Sequence, residues 1–239
     1  MSNASPSEPS GQISPWRPLR DLLIRVAIVT ILSALAHWRD ALTLGFALFL
    51  IFTAVWTTIR ARYEAAPLPV VHTERAGREA RLVKGVGIGM FALPCIAIGT
   101  PLLDFASYPV PVGVALAGAL LALPTLWLFW RSHADLGRNW SPVLELREGH
   151  GLVTHGVYAR VRHPMYAAIF AMTLVQFVFL GNWLAGPAGY VAFLLLYLDR
   201  IGPEEEMMAK TFGEDWVRYT ERTGALFPNL TRGAQNAPT

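Results

Sequence analysis

MYAAIFAMTLVQFVFLGNWLAGPAGYVAFLLLYL, residues 165–198, runs for 34 positions without a formal charge. A bilayer core about 30 Å thick takes roughly 20 helical residues to cross, so the stretch is too long for one span. It is broken near its middle by Gly181-Asn182-Trp183 and by Gly186-Pro187. The stretch therefore reads as a helical hairpin with arms of about 15 residues, each covering roughly 23 Å. Arms that short tilt little, or sit in a locally thin membrane. Four more apolar runs precede the hairpin: Leu22–Trp38, Ala41–Ile59, Gly85–Leu103 and Val110–Trp130. Arg25 is placed to snorkel from the first, and Trp38, Trp56, Trp127 and Trp130 lie near run ends as interfacial aromatics do. Pro94 and Pro124 interrupt the third and fourth runs and are expected to kink them. The fold class expected is all-α: a polytopic membrane protein with six membrane-embedded helices, including the hairpin.

Composition agrees with that reading. Of 239 residues, 53% are hydrophobic and only 15% charged, with mean hydropathy +0.37, far from a soluble domain with about a quarter charged. The net charge of +3 is spread between apolar runs and forms no continuous patch, so nucleic acid is not an expected partner. Cys95 is the single cysteine, which rules out an intramolecular disulfide and a cysteine-based metal site. His133, His150 and His155 show no ligand spacing, so no metal is expected.

The chain divides into a flexible tail over residues 1–18, a four-helix transmembrane region over 19–130, a polar-rich region over 131–228 and a second flexible tail over 229–239. No removable signal peptide is expected before the first run. Lysine and arginine give the orientation. Six fall in 60–84, five in 131–162 and five from 200 onward, whereas the turns 102–108 and 181–186 have none and the first turn has only Arg39. The bias places both termini and the two long polar loops in the cytoplasm, as in a multi-pass protein of a bacterial inner membrane.

Downstream of the hairpin, Pro203-Glu204-Glu205-Glu206 reads as the start of a helix running to Arg222. Met208, Phe212, Trp216 and Tyr219 give that cytoplasmic helix one apolar face, suited to folding back on the loop. The dense polar groups 131–140, 150–163 and 200–206 all fall on the same side. Together they offer arginines, carboxylates and aromatic walls, a set that suits a charged ligand held at a membrane surface.

His150-Gly151-Leu152-Val153-Thr154-His155-Gly156-Val157-Tyr158, then Arg162-His163-Pro164-Met165-Tyr166, then Glu204-Glu205 and Phe212-Gly213, occur in that order. In order and spacing this resembles the cofactor half of isoprenylcysteine carboxyl methyltransferases, and the Arg-His-Pro-x-Tyr core also resembles phospholipid methyltransferases. The resemblance covers roughly residues 131–228. It implies S-adenosyl-L-methionine as cofactor, held by His150, Leu152, Val153, Tyr158, His163, Tyr166, Glu204 and Glu205, with Arg162 a further candidate. It also implies Arg200 and Glu204 as catalytic residues, Arg200 orienting the methyl-accepting carboxylate of a lipophilic or prenylated substrate drawn from the membrane lipid.

Plainer readings stand beside these. Arg200 and Glu204 form an i,i+4 pair that helix geometry alone would bring together. Pro164 suits a helix start, His163 a headgroup contact, and Arg160 and Arg162 the charge bias. The acceptor also stays open, since a carboxylate needs no general base, an amine must be deprotonated and a thiol must arrive as thiolate. Phospholipid amine N-methylation and small-thiol S-methylation are therefore alternatives. A reductase using NADPH, of the sterol-reductase kind, and a non-catalytic lipid-binding protein complete the set.

Overall fold

The computed structural model describes residues 17–39, 42–63, 70–73, 76–137, 145–147 and 151–229. Both expected tails lie almost wholly outside these residues, as do His150 and most of the loop before it. The helices are α1 (Arg17–Trp38), α2 (Leu44–Tyr63), α3 (Ala76–Gly87), α4 (Leu93–Gly99), α5 (Val112–Leu136), α6 (Pro164–Leu180), α7 (Ala185–Phe212) and α8 (Glu214–Arg222). Strands β1 (Val70–Thr73) and β2 (Glu145–Arg147) pair antiparallel as a small ribbon joining the two polar loops.

The frame is that of an all-helical polytopic membrane protein. Among the described residues, 44–63, 77–99 and 112–136 are long and apolar enough to cross a bilayer, with Val26–Trp38 and Pro164–Leu180 as shorter apolar helices. α6 packs between α5 and α7, and α2 lies against both α5 and α6. Phe49, Phe52, Trp56, Phe129, Met172, Val175 and Phe179 fill the space between them. Leu120, Leu123, Ile51, Leu195 and Leu198 point outward and are well exposed, as lipid-facing side chains are.

Two boundaries differ from those the sequence suggests. The third span does not begin at Gly85: α3 starts at Ala76 and continues through one π-helical turn, Ile88–Ala92, into α4. Pro94 accounts for the irregular turn, because its ring crowds the preceding turn and it has no N–H to donate. Gln176 of α6 stabilises this place, donating from Nε2 to the carbonyls of Gly89 at 2.9 Å and Ala185 at 2.9 Å. Gly89 also lets α7 approach closely, since a Cβ there would lie 2.6 Å from the Ala188 oxygen. By contrast, Pro124 sits inside an uninterrupted α5.

The second correction concerns Pro203, which starts no helix and lies inside the 28-residue α7. The apolar run carries helical order up to the proline, and the acidic residues after it extend the same helix. The break comes at Gly213, whose φ of 53° is the left-handed conformation glycine tolerates, and α8 follows. The hairpin arms are accordingly unequal, with 17 residues in α6 and a much longer α7.

At the hairpin turn, where the sequence places the break, Asn182 is fully buried. Its Nδ2 donates to the Leu103 carbonyl at 2.8 Å, and its Oδ1 accepts the Leu184 and Ala185 N–H groups at the start of α7. At the same end, both terminal contacts from Arg39 Nη2 to the Asp104 carboxylate are 2.7 Å, and Nη1 donates to the Ile98 carbonyl. The polar groups of the other end belong to a different assembly.

Candidate active site

That assembly is built on the entry to α6. The chain approaches through Gly156, whose φ of 60° and bare Cα admit the Asp135 carboxylate, since a Cβ would lie 2.1 Å from Asp135 Oδ2. Asp135 accepts the Val157 N–H at 2.9 Å and is held by Arg131 at 2.5 Å. Tyr158 is buried, donating its hydroxyl to the Ser132 carbonyl and receiving the Tyr219 hydroxyl on its own carbonyl at 2.7 Å. Burial raises the Tyr158 phenol well above its ordinary value and pushes Tyr219 up to about 12, so both are protonated donors at neutral pH.

Residues 160–163 are then pinned by the segment following α8. The Arg162 and His163 N–H groups donate to the carbonyls of Gly224 and Ala225 at 2.8 and 3.0 Å. Arg162 Nη1 reaches the Thr223 carbonyl at 2.5 Å, closing the carbonyl end of α8, where a cation is favoured. Its Nε and Nη2 both meet Glu205 Oε1, at 3.1 and 3.0 Å. Pro164 occupies the first turn of α6, needing no N–H partner there.

Around this pin the polar side chains converge. His163 is buried, with Nε2 at 3.2 Å from Glu205 Oε1 and Nδ1 at 3.6 Å from Glu204 Oε1. Tyr166, one turn along α6, donates its hydroxyl to Glu204 Oε2. Its ring stacks on the His163 imidazole with centroids 5.5 Å apart, and Phe193 and Tyr197 meet it edge-on. Arg200 lies with its guanidinium carbon 6.0 Å from the Tyr166 ring centre and forms an ion pair from Nε to Glu79 Oε1 at 3.4 Å.

Burial alone would push the His163 imidazolium to lower pKa, but hydrogen bonds and charge from Glu204 and Glu205 outweigh it and hold the group above its ordinary value. Glu204 is held below the usual carboxylate range: its burial opposes ionisation, yet His163, Arg200 and Tyr166 together prevail. Glu205 is lowered chiefly by its hydrogen bond to His163, with Arg162 adding to the effect. The imidazole and the two carboxylates therefore favour one another's charged forms.

The structure brings together Arg162, His163, Tyr166, Glu204, Glu205 and Arg200. Glu206, the third of the acidic run, is exposed and pairs with Lys210 at 2.7 Å, so Glu204 and Glu205 are the two that face the cluster. Leu152 and Val153 lie half-buried in the irregular segment before the Gly156 turn, and Tyr158 commits its hydroxyl to α5. Sequence reasoning missed Glu79, which enters from α3 and is 3% exposed. Its signal was the pattern of residues 76–87, an amphipathic helix read as loop. Asp135 was missed as well, and only the Gly156 turn could have pointed to it.

Residues 115–210 match the model of the isoprenylcysteine carboxyl methyltransferase family. The sequence likeness to that family is confined to this segment, which is less than half of the chain. It starts within α5, earlier than the motifs alone indicate, and ends in α7, so α3 and Glu79 lie outside it. The matched segment has relatives among characterised proteins. Over 94 residues the chain is 34% identical to a protein-S-isoprenylcysteine O-methyltransferase of Tribolium castaneum, covering 38% of this chain and 34% of the relative. The human protein-S-isoprenylcysteine O-methyltransferase is 33% identical over 94 residues, covering 38% and 33%. A cobalt-zinc-cadmium resistance protein, CzcN, of Cupriavidus metallidurans is 32% identical over 110 residues, covering 46% and 50%. The chain thus spans about a third of the length of the methyltransferases and half that of the third relative. The structure of a eukaryotic intramembrane Ras methyltransferase superposes with TM-score 0.53 at 20% identity, covering 86% of this chain and 75% of that one, a likeness of fold.

Proposed function

We propose that this protein is an integral-membrane methyltransferase that uses S-adenosyl-L-methionine to methylate the carboxylate of an isoprenylcysteine-like acceptor. The observation that carries the reading is the cluster of His163, Tyr166, Glu204 and Glu205, with Arg200 beside it, inside the segment of family likeness.

The donor set fits the cofactor. Carboxylates and an aromatic face suit the cationic sulfonium side, and the imidazolium of His163 with Arg162 suits the carboxylate side. Bound S-adenosyl-L-methionine supplies a methyl carbon already activated by its sulfonium. What the chain contributes is alignment and exclusion of water: Tyr166, Phe193 and Tyr197 form an aromatic wall, while Arg162 fixes Glu205 to the end of α8. Arg200 is the residue placed to orient an acceptor carboxylate.

Electrostatics favour that acceptor over an amine. A base for amine deprotonation works best with a pKa near the working pH, yet both glutamates are held below the usual carboxylate range and are weak bases, and His163 is tied to both of them. A carboxylate is ionised at neutral pH and reacts without a base. The positive charge bias supports placing this end of the bundle in the cytoplasm, where the cofactor enters, with the acceptor arriving from the bilayer.

Calorimetry on detergent-solubilised protein is expected to show saturable binding of S-adenosylmethionine and S-adenosylhomocysteine, and labelled methyl is expected to pass to a prenylcysteine. Saturable NADPH binding with neither sulfur compound bound would overturn the assignment.

A further inference from the structure

α3 lies outside the segment of family likeness, yet it delivers two consecutive charged residues to two consecutive residues of α7. Arg78 Nε meets Asp199 Oδ1 at 2.7 Å, and Glu79 Oε1 meets Arg200 Nε at 3.4 Å. Arg78 is well exposed, so its pair is worth little. Glu79 differs, for its side chain is only 5% exposed and that of Arg200 only 12%. A carboxylate is not buried at such a place without a partner, and this one lies against the residue assigned to the acceptor. Leu82 and Val86, on the same helix, pack on the cluster of Tyr166, Phe193 and Leu196 and fix the depth at which Glu79 enters.

We propose that Glu79 is a positioning residue for the acceptor: its buried carboxylate, ion-paired with Arg200 across 3.4 Å, holds the guanidinium in place so that it meets the acceptor carboxylate in a set orientation. An arginine has five N–H donors in a rigid fork and can engage two carboxylates at once along different edges. The ion pair limits how far the guanidinium can move from α3, and the Tyr166 ring, 6.0 Å away, limits the remaining swing. An unanchored arginine would have to give up several side-chain rotations whenever the acceptor bound. The inference rests on the carboxylate-acceptor reading and adds to it a residue from the unmatched half of the chain.

The test measures equilibrium binding of a prenylcysteine acid and its neutral primary carboxamide to the full chain saturated with S-adenosylhomocysteine. The wild-type protein is expected to prefer the acid by about tenfold or more, the scale of one charge-assisted contact. Arg200→Ala should abolish most of that preference. Glu79→Gln, nearly isosteric, should do the same while leaving S-adenosylhomocysteine affinity within about twofold, and the double variant should be no worse than Arg200→Ala. A wild-type protein with no acid preference overturns the carboxylate reading and this role together. Acid preference intact or increased in Glu79→Gln, beside a wild-type preference, overturns the role of Glu79 alone, as does additivity in the double variant. If Glu79→Gln does not fold, Glu79→Asp takes its place with the same expected loss, because it withdraws the charge by one methylene, and full preference in it is equally decisive.

Discussion

His163 is the residue on which most of the polar contacts meet, and its removal separates cofactor binding from chain stability. His163→Ala and Glu204→Ala are each expected to weaken S-adenosylmethionine binding by about 1–3 kcal/mol in calorimetry, the cost of losing a buried charge-assisted contact. Arg162→Ala should lower the melting temperature more than either, because it also releases the Thr223 carbonyl at the end of α8. The cluster sets a pH window as well. His163 has a folded pKa above its unfolded value of about 6.5, so the stability it adds is full below that value and fades as pH rises through the folded one. Glu204 and Glu205 are depressed, so theirs is full above about 4.3 and fades as pH falls through the lower folded values. A melting-temperature profile should therefore peak between these limits, and His163→Ala should flatten its alkaline side. At this scale the sequence was informative, since Arg162, His163, Tyr166, Glu204 and Glu205, singled out by their order, are side chains the fold brings together. It was silent on Glu79, whose partner is 121 positions away and whose role depends on how α3 meets α7.

The elements were legible where one apolar run makes up most of one helix, as in α2 and α5. They were misread where a helix continues past its apolar part. α3 begins nine residues before the run that marks the span, and α7 runs through Pro203, because a chain already helical on both sides can carry one proline within it. The π turn before Pro94 was invisible, as its stabilising partner is Gln176 on another helix. Gln176→Ala removes the donor to two carbonyls in the buried interface of α4, α6 and α7, and is expected to cost about 1–3 kcal/mol for each carbonyl left bare. Thermal unfolding in detergent measures it. Gly156→Ala should destabilise too, since it forces a side chain at positive φ against the Asp135 carboxylate. If Asp135→Ser in the same chain restores part of the loss, the clash rather than the backbone angle is the greater share.

For the whole molecule, the two ends differ in kind. One end closes with Arg39, Asp104 and Asn182 in fixed contacts, while the other carries the ionised cluster. Cysteines placed at Ser107 and Trp183, after Cys95→Ala, should be labelled from outside the cell by an impermeant maleimide, and cysteines at Thr154 and Lys210 only after lysis. All four positions are exposed, unlike Asn182, where a substitution would disturb the hairpin. The reverse pattern would put the cluster on the wrong side for a cytoplasmic cofactor. Finally, the pairs between α3 and α7 tie the half carrying the family likeness to the half that lacks it. Cutting the chain in the turn before α5 would strand Asp199, only 7% exposed, and Arg200 without the partners that α3 brings. Residues 1–111 and 112–239 made as separate polypeptides should therefore each be degraded alone and persist when co-expressed, each fragment serving as the other's missing wall.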